Sequence, residues 1–187
     1  SMLKLGGITM KEIKVKEVMS KNPMILDAGT DVSSAVKKMV QKGISTIIVS
    51  KNGVPVGIVT DRDLVTKIIA RDINPSEITL EEIMSKPLVV VDENEKLEIA
   101  AKMMNKKKIR KLPVVSGGNI IGLLSENDIV KISPDLIFLV SEKSKEESKY
   151  EEITEYFAGL CDVCGQFSTQ LTFYKNLYVC PKCKVKM

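Results

Sequence analysis

The sequence predicts an α+β fold with two copies of a strand–helix–strand–strand–helix unit, followed by a small β domain. First, residues 57–63 (GIVTDRD) return 65 positions later as residues 122–128 (GLLSEND). Second, all aromatic residues and all four cysteines lie from Phe138 onwards, whereas the preceding chain is aliphatic. Third, strand-like and helix-like hydrophobic periodicities follow the same order in both copies. A duplication of this length indicates two packed copies of one module, which create two related clefts.

In the first copy, an apolar run at residues 24–26 predicts a strand, and a helix begins at Asp31. The apolar residues of this helix recur at i, i+3, i+4 and i+7, which places them on one face. A β-hairpin follows, with strands at residues 46–49 and 56–59 and a Lys-Asn-Gly turn between them. A second helix starts at Thr60.

The second copy repeats this order. A strand is predicted at residues 88–91, and a helix with one apolar face over residues 97–104. A hairpin with strands at residues 112–115 and 120–124 comes next, and a second helix starts at Ser125. The unit is therefore βαββα, and it occurs twice.

Domain boundaries follow from these elements. Residues 10–72 and 73–133 hold the two copies, residues 134–157 form a charged helical linker, and residues 158–187 form the small β domain. The linker helix is predicted to start at Ser133-Pro134-Asp135, because proline suits the first helical position. Residues 141–150 alternate Lys, Glu and Ser, a pattern typical of a solvated helix.

Four cysteines in the last domain form two Cys-x-x-Cys pairs with fifteen residues between them; they are Cys161, Cys164, Cys180 and Cys183. Two tight turns joined by a hairpin would bring the four thiolates around one metal ion. A domain of about 28 residues needs such a staple, because its apolar core is too small to hold it folded. Tetrahedral thiolates suit zinc and iron equally, so the sequence leaves the metal open.

Two helix starts carry a hydroxyl and an aspartate three residues apart, Thr60 with Asp63 and Ser125 with Asp128. The spacing predicts a capping box, in which side chain and backbone bond reciprocally. The same geometry can serve a nucleotide. A helix N-terminus attracts phosphate, and a carboxylate can accept hydrogen bonds from both hydroxyls of a ribose.

Residues 17–23 (EVMSKNP) and 82–87 (EIMSKP) add a further repeated motif. With these motifs, residues 10–132 resemble a tandem pair of cystathionine-β-synthase (CBS) domains. The resemblance implies that an adenine nucleotide such as AMP, ADP or ATP contacts Thr60, Asp63, Ser125 and Asp128 through its phosphate and ribose. It also implies a homodimer. Residues 159–185 resemble a zinc ribbon or a rubredoxin-like pair of metal knuckles.

Three basic residues are candidates for contact with phosphate. Arg62 lies inside the first motif, and Asn127 takes its place in the second copy, so the two nucleotide sites are expected to differ. In the second copy, Arg110 and Lys111 begin a strand beside the site and could supply the missing positive charge.

The sequence predicts a non-enzymatic, cytoplasmic regulatory protein, with a nucleotide in the CBS pair and a metal ion in the ribbon. There is no histidine and no nucleophile paired with a base. The longest apolar runs, such as residues 136–140, have about five residues, far fewer than a membrane span requires.

Two alternatives remain open. In one, the ribbon binds nucleic acid in a transcription-associated protein, and the CBS pair mainly dimerises. In its favour, the ribbon contains basic and aromatic residues that could contact phosphates and bases, namely Lys175, Lys182, Lys184, Lys186, Phe167, Phe173, Tyr174 and Tyr178. In the other, iron in the ribbon transfers electrons.

Overall fold

The computed structural model describes residues 13–132, 134 and 155–187. Most of the charged linker, including residues 141–150, lies outside these ranges, as do Ser133 and Asp135 of the expected helix start. None of the helices in the described ranges has the length and apolar character that a bilayer crossing requires.

The described residues form six α-helices and ten strands. The helices are α1 (Val32–Lys42), α2 (Asp61–Lys67), α3 (Leu80–Ile83), α4 (Leu97–Lys107), α5 (Glu126–Ile132) and α6 (Pro181–Lys184). The strands are β1 (Ser20–Lys21), β2 (Ile25–Asp27), β3 (Thr46–Lys51), β4 (Val54–Thr60), β5 (Leu88–Asp92), β6 (Lys111–Ser116), β7 (Asn119–Ser125), β8 (Tyr156–Leu160), β9 (Phe167–Tyr174) and β10 (Leu177–Val179). The predicted α+β class is confirmed, and both βαββα orders are present.

The chain divides into two compact units. Among the described residues, the first unit combines residues 23–88 with residues 157–187, and the second combines residues 13–22 with residues 89–132, 134, 155 and 156. Each unit holds the hairpin of one repeat together with the Met-Ser-Lys motif that begins the other repeat in sequence.

In the first unit, β3 lies between parallel β2 and antiparallel β4. Asp31 caps α1 by accepting a 2.8 Å hydrogen bond from the backbone N–H of Ser34. Gly43 ends α1 in the left-handed conformation at φ 61°, which glycine adopts without steric cost. The apolar face of α1 packs on one face of the sheet, in a core that includes Val32, Ala35, Met39, Ile47, Val49, Val59, Leu80 and Ile83.

The second unit has the same plan. β6 pairs with parallel β5 and antiparallel β7, and β1 pairs antiparallel with the far edge of β7. Here Lys108, at φ 55°, ends α4 where Gly43 ends α1. The core includes Leu97, Ala100, Ala101, Met104, Leu112, Val114, Leu124 and Ile129.

The repeated motifs meet within each unit. A Cβ atom added to Gly57 would lie 2.5 Å from Sδ of Met84, and one added to Gly122 would lie 2.5 Å from Sδ of Met19. In the first unit, Ser85 also pairs with Ile58 through two backbone hydrogen bonds of 2.8 and 3.0 Å. The glycines of the hairpins therefore give the methionines of the Met-Ser-Lys motifs room to pack.

The ribbon, residues 156–187, is a three-stranded antiparallel sheet in which β9 pairs with β8 and β10. Lys175 and Asn176 form the turn between β9 and β10 with φ angles of 47° and 66°. Phe157 and Tyr178 pack edge to face with ring centroids 5.0 Å apart, and Leu171, opposite Phe157 in the register of β8 and β9, is buried.

Candidate functional site

The four cysteines of the ribbon lie together. The Sγ atoms of Cys161, Cys164, Cys180 and Cys183 are all within 4.8 Å of one another, and those of Cys164 and Cys180 are 3.9 Å apart. All four are free thiols. Four sulfurs at about 2.3 Å from a tetrahedral zinc ion stand about 3.8 Å from each other. The cluster could therefore hold one tetrahedrally coordinated metal ion.

Two short turns present these sulfurs. In the first, the N–H of Gly165 donates to the carbonyl of Cys161 over 2.8 Å, and Gly165 has φ 70°. In the second, the N–H of Lys184 donates to the carbonyl of Cys180 over 2.9 Å, and Pro181 begins α6. Glycine and proline at these positions make the tight turns that the Cys-x-x-Cys spacing requires.

Asp162 joins the two turns. Its Oδ2 accepts a 2.7 Å hydrogen bond from the N–H of Tyr178, and its own N–H donates to the carbonyl of Tyr178 over 2.9 Å. Tyr178 lies two residues before Cys180, so these bonds hold the first cysteine pair beside the second. The Cys-x-x-Cys spacing alone did not reveal this role, because it depends on a partner sixteen residues away.

The thiols of the cluster have unequal acidities. Burial by itself would raise the pKa of Cys161, but backbone N–H groups of Cys180, Cys164 and Val163 favour the thiolate and bring the pKa to about 6. Burial and the neighbouring sulfurs raise the pKa of Cys183 to about 12. Crowded thiols resist simultaneous ionisation unless a cation neutralises them, which fits a metal-binding role.

The predicted capping box of the first repeat is present at the start of α2. Oδ2 of Asp63 accepts hydrogen bonds from the N–H and from Oγ1 of Thr60, over 2.8 and 3.1 Å. The other carboxylate oxygen, Oδ1, accepts from Nζ of Lys67 over 2.7 Å and from Oγ of Ser85 over 3.2 Å. A carboxylate has about four acceptor positions, and here the protein itself occupies four.

The second repeat forms the same box at the start of α5. Oδ2 of Asp128 accepts from the N–H of Ser125 over 2.9 Å and from its Oγ over 2.5 Å. Ile132 stands where the first repeat has Lys67. Within the described part of the chain, Oδ1 of Asp128 accepts no hydrogen bond. The two repeats therefore differ at the predicted ribose acceptor.

The three basic residues predicted to contact phosphate differ in their position relative to the capping boxes. Arg62 is exposed on α2. The side chain of Arg110 is 83% exposed and pairs with Glu126 at 3.4 Å. Lys111 begins β6 directly opposite Ser125. Of these three, Lys111 is therefore the one that the sheet register places next to a capping residue.

The fold and its paired sites define a class of protein: a duplicated α+β module with one capping-box site in each repeat. The CBS domain profile matches residues 15–70 and 80–135, and the chain belongs to the CBS domain family. An uncharacterised protein of Methanopyrus kandleri is 36% identical over 186 residues, which cover 93% of this chain and 92% of the relative.

Two solved structures share the fold. The hexameric CBS-CP12 protein of bloom-forming cyanobacteria has a TM-score of 0.62 at 31% identity, covering 67% of this chain and 70% of that one. The CBS domain pair of protein MJ0100, in complex with 5′-methylthioadenosine and S-adenosyl-L-methionine, has a TM-score of 0.59 at 26% identity. That match covers 66% of this chain and 97% of the MJ0100 pair.

Proposed function

We propose that this protein is a cytoplasmic, non-enzymatic sensor whose CBS pair binds an adenine nucleotide and whose ribbon binds one metal ion. The observation that carries the nucleotide proposal is the pair of capping boxes at α2 and α5. They support it because they are formed by Thr60, Asp63, Ser125 and Asp128, the residues that by the CBS resemblance contact phosphate and ribose. The adenosine ligands of the MJ0100 pair support the same ligand class.

In this proposal, the N–H groups at the two helix starts and the cations Arg62, Arg110 and Lys111 attract phosphate. The open Oδ1 of Asp128 makes the second repeat the better acceptor of a ribose diol. A nucleotide with unequal affinities for two conformations of the pair would shift their populations, and this is the sensing step. The protein acts as a homodimer, as the CBS resemblance implies.

The ribbon is proposed to hold zinc or iron through Cys161, Cys164, Cys180 and Cys183. A bound ion supplies the stability that so small a domain lacks and so maintains a surface for docking a partner. The short turns and the Asp162–Tyr178 bonds position the four sulfurs for this purpose.

The test is thermal unfolding of the full chain with AMP, ADP, ATP and S-adenosylmethionine, with CTP as the control. A bound ligand at about one hundred times its Kd adds about 2.7 kcal/mol of stability. At least one adenosine ligand is expected to raise the unfolding temperature of the CBS pair, and CTP is not. Identical melting with every ligand at millimolar concentration would refute the nucleotide proposal.

A second candidate function is binding of single-stranded nucleic acid by the ribbon. Phe173 is 57% exposed and Tyr174 is 37% exposed, so neither ring is buried in the small core of the ribbon. The Nζ atoms of Lys175 and Lys184 lie 5.2 and 5.8 Å from the centre of the Tyr174 ring. An exposed ring flanked by cations can stack on a base and contact phosphate.

Fluorescence anisotropy with a labelled oligothymidine tests this candidate. If it is correct, binding is present at 50 mM salt, falls steeply by 200 mM, and is lost in Tyr174→Ala but not in Tyr156→Ala, which removes another exposed ring of the ribbon. No binding at 50 mM salt would eliminate it. Metal analysis together with a visible spectrum tests the electron-transfer alternative, which requires iron and reversible bleaching on reduction.

A further inference from the structure

One buried hydroxyl in the first unit lacks a partner. Thr46 begins β3 and is 5% exposed, and its Oγ1 has no hydrogen-bond partner among the residues that the structure describes. A buried hydroxyl without a partner is costly, because it has lost its hydrogen bonds to water. Such a group in a binding protein is a candidate contact for a ligand.

The position of Thr46 in the sheet places it beside the first capping box. In the antiparallel pair of β3 and β4, Thr46 lies directly opposite Thr60, so both side chains are on the same face. The alternate residues of β3, Ile47 and Val49, belong to the aliphatic core under α1. Thr46 therefore lies on the face away from that core, beside the start of α2.

The other polar groups at this place are already engaged. Both carboxylate oxygens of Asp63 are bound, by Thr60 on one side and by Lys67 and Ser85 on the other. Nζ of Lys67 also donates to the carbonyl of Ile83 over 2.6 Å. In the first repeat, therefore, Asp63 has its acceptor positions filled, whereas the hydroxyl of Thr46 is buried without a partner among the described residues.

We infer that Oγ1 of Thr46 hydrogen-bonds to the nucleoside part of the nucleotide bound in the first repeat and determines affinity there. This inference rests on the proposed nucleotide binding. A neutral hydroxyl can donate to or accept from a ring nitrogen, an amino group or a ribose hydroxyl. In the second repeat, Lys111 occupies the equivalent position. The first site therefore offers the ligand a neutral hydroxyl where the second offers a charged ammonium group.

The experiment titrates the full chain with the adenosine ligand that binds the wild type best in the unfolding panel. Amide hydrogen exchange in peptides covering residues 45–63 and residues 110–128 reports an apparent Kd for each repeat. Thr46→Val removes the hydroxyl but keeps the side-chain shape. It is expected to weaken binding in the first repeat roughly five- to tenfold, as loss of one neutral hydrogen bond does. The Kd of the second repeat stays unchanged, and Thr46→Ser retains wild-type affinity.

Thr172→Val is the matched control. Oγ1 of Thr172, in the ribbon, is the other buried side-chain oxygen without a partner in the described ranges. Its removal is expected to leave both Kd values unchanged. A Thr46→Val protein that binds within twofold of the wild type in the first repeat would overturn the inference while leaving nucleotide binding intact. Absence of binding in the wild type would instead overturn the proposed function on which the inference rests.

Discussion

Asp63 and Asp128 occupy the same position in corresponding helices, but their surroundings give them different roles. Asp63 is buried and bound by Lys67 and Ser85 in addition to its capping partner, so it ties α2 to the Met-Ser-Lys motif. Asp128 makes only the capping bonds within the described residues. The aspartate of this motif therefore links α2 to the Met-Ser-Lys motif in the first repeat. In the second repeat it keeps one carboxylate oxygen without a hydrogen bond from the described residues.

The Asp63→Asn variant is expected to lose more stability than Asp128→Asn. Both substitutions weaken a capping box, at a cost of about 1 kcal/mol each. Only Asp63→Asn also breaks a partly buried ion pair and leaves Lys67 without its carboxylate, for about 1–2 kcal/mol more. Urea unfolding of each variant measures the difference. Equal losses in the two variants would show that the Lys67–Asp63 contact does not contribute to stability.

The nucleotide affinities should change in the opposite order. Asp128→Asn removes an open acceptor oxygen and is expected to weaken the affinity of the second repeat by about tenfold or more, the loss typical of a hydrogen bond to a charged group. Asp63→Asn is expected to have the smaller effect on nucleotide Kd in its own repeat. Calorimetric titration of both variants tests this order, and a larger loss in Asp63→Asn would contradict it.

At the scale of elements, the ribbon depends on its cysteine cluster. Its strands bury few large side chains, Phe157, Leu171 and Val179 among them. Ordering each residue costs about 1–2 kcal/mol of backbone entropy. A structural zinc site contributes apparent free energies of about 10–16 kcal/mol. The two CBS repeats contain no cysteine and have their own aliphatic cores.

Cys180→Ser is therefore expected to unfold the ribbon while the two CBS repeats stay folded and bind nucleotide as before. Amide hydrogen exchange should show protection lost across residues 156–187 and retained in β3, β4, β6 and β7. Lys182→Ala, an exposed substitution between two of the cysteines, is the matched control and should keep the ribbon protected. Full protection of the ribbon in Cys180→Ser would refute the metal-site assignment.

A second element-level feature is the ion pair before β8. Glu155 contacts Nζ of Lys106 at 2.8 Å and Nζ of Lys107 at 2.5 Å, at the end of α4. Partial burial would raise the pKa of Glu155, but the two lysines hold it below the ordinary value of 4.5. A lowered folded-state pKa adds stability above pH 4.5, which is lost as the pH falls through the folded-state value.

Glu155→Gln is expected to lower stability at pH 7 by less than about 1 kcal/mol, because the lysines are partly exposed and screened. The difference between the variant and the wild type should shrink once the pH is below 4.5 and disappear under more acidic conditions. Chemical unfolding at a series of pH values, repeated in high salt, measures it. A difference that is independent of pH would show that the contact works through packing rather than charge.

At the scale of the whole molecule, the CBS resemblance implies a homodimer, and the surface at the end of α2 offers a contact. Val65, on α2, is 54% exposed, and Ile69, in the 3₁₀ turn that follows α2, is 68% exposed. Large aliphatic side chains exposed close together are typical of residues that pack in an assembly.

Sedimentation equilibrium is expected to show a dimer for the wild type and a monomer for Ile69→Glu, because a buried, unpaired carboxylate destabilises an apolar contact. Val40→Glu places the same charge on an exposed apolar residue of α1 and is the control, with the dimer retained. A dimer that survives Ile69→Glu would move the interface elsewhere, and a monomeric wild type would refute the homodimer proposal.

Several features of this protein were determined by sequence alone because they are local. The order of strands and helices followed from periodicity and turn residues, as with Asp31 and Gly43 at the two ends of α1. Each capping box joins residues three positions apart in the chain, so spacing predicted them. The four cysteines were predicted as one cluster because a short hairpin leaves their turns little other arrangement.

Only the tertiary structure decided which side chains are hydrogen-bonded by distant residues and which are buried or exposed. The hydroxyl of Ser85 donates a hydrogen bond to Asp63, which lies 22 residues earlier in the chain. Thr46, at the start of β3, is buried in the folded protein. In the ribbon, Phe157 is buried while Phe173 is left at the surface. The physical reason is that burial and long-range hydrogen bonds depend on the packing of distant segments, whereas periodicity and capping depend on neighbours in the chain. Equivalent motifs can therefore form the same capping box and still present different chemical groups to a ligand.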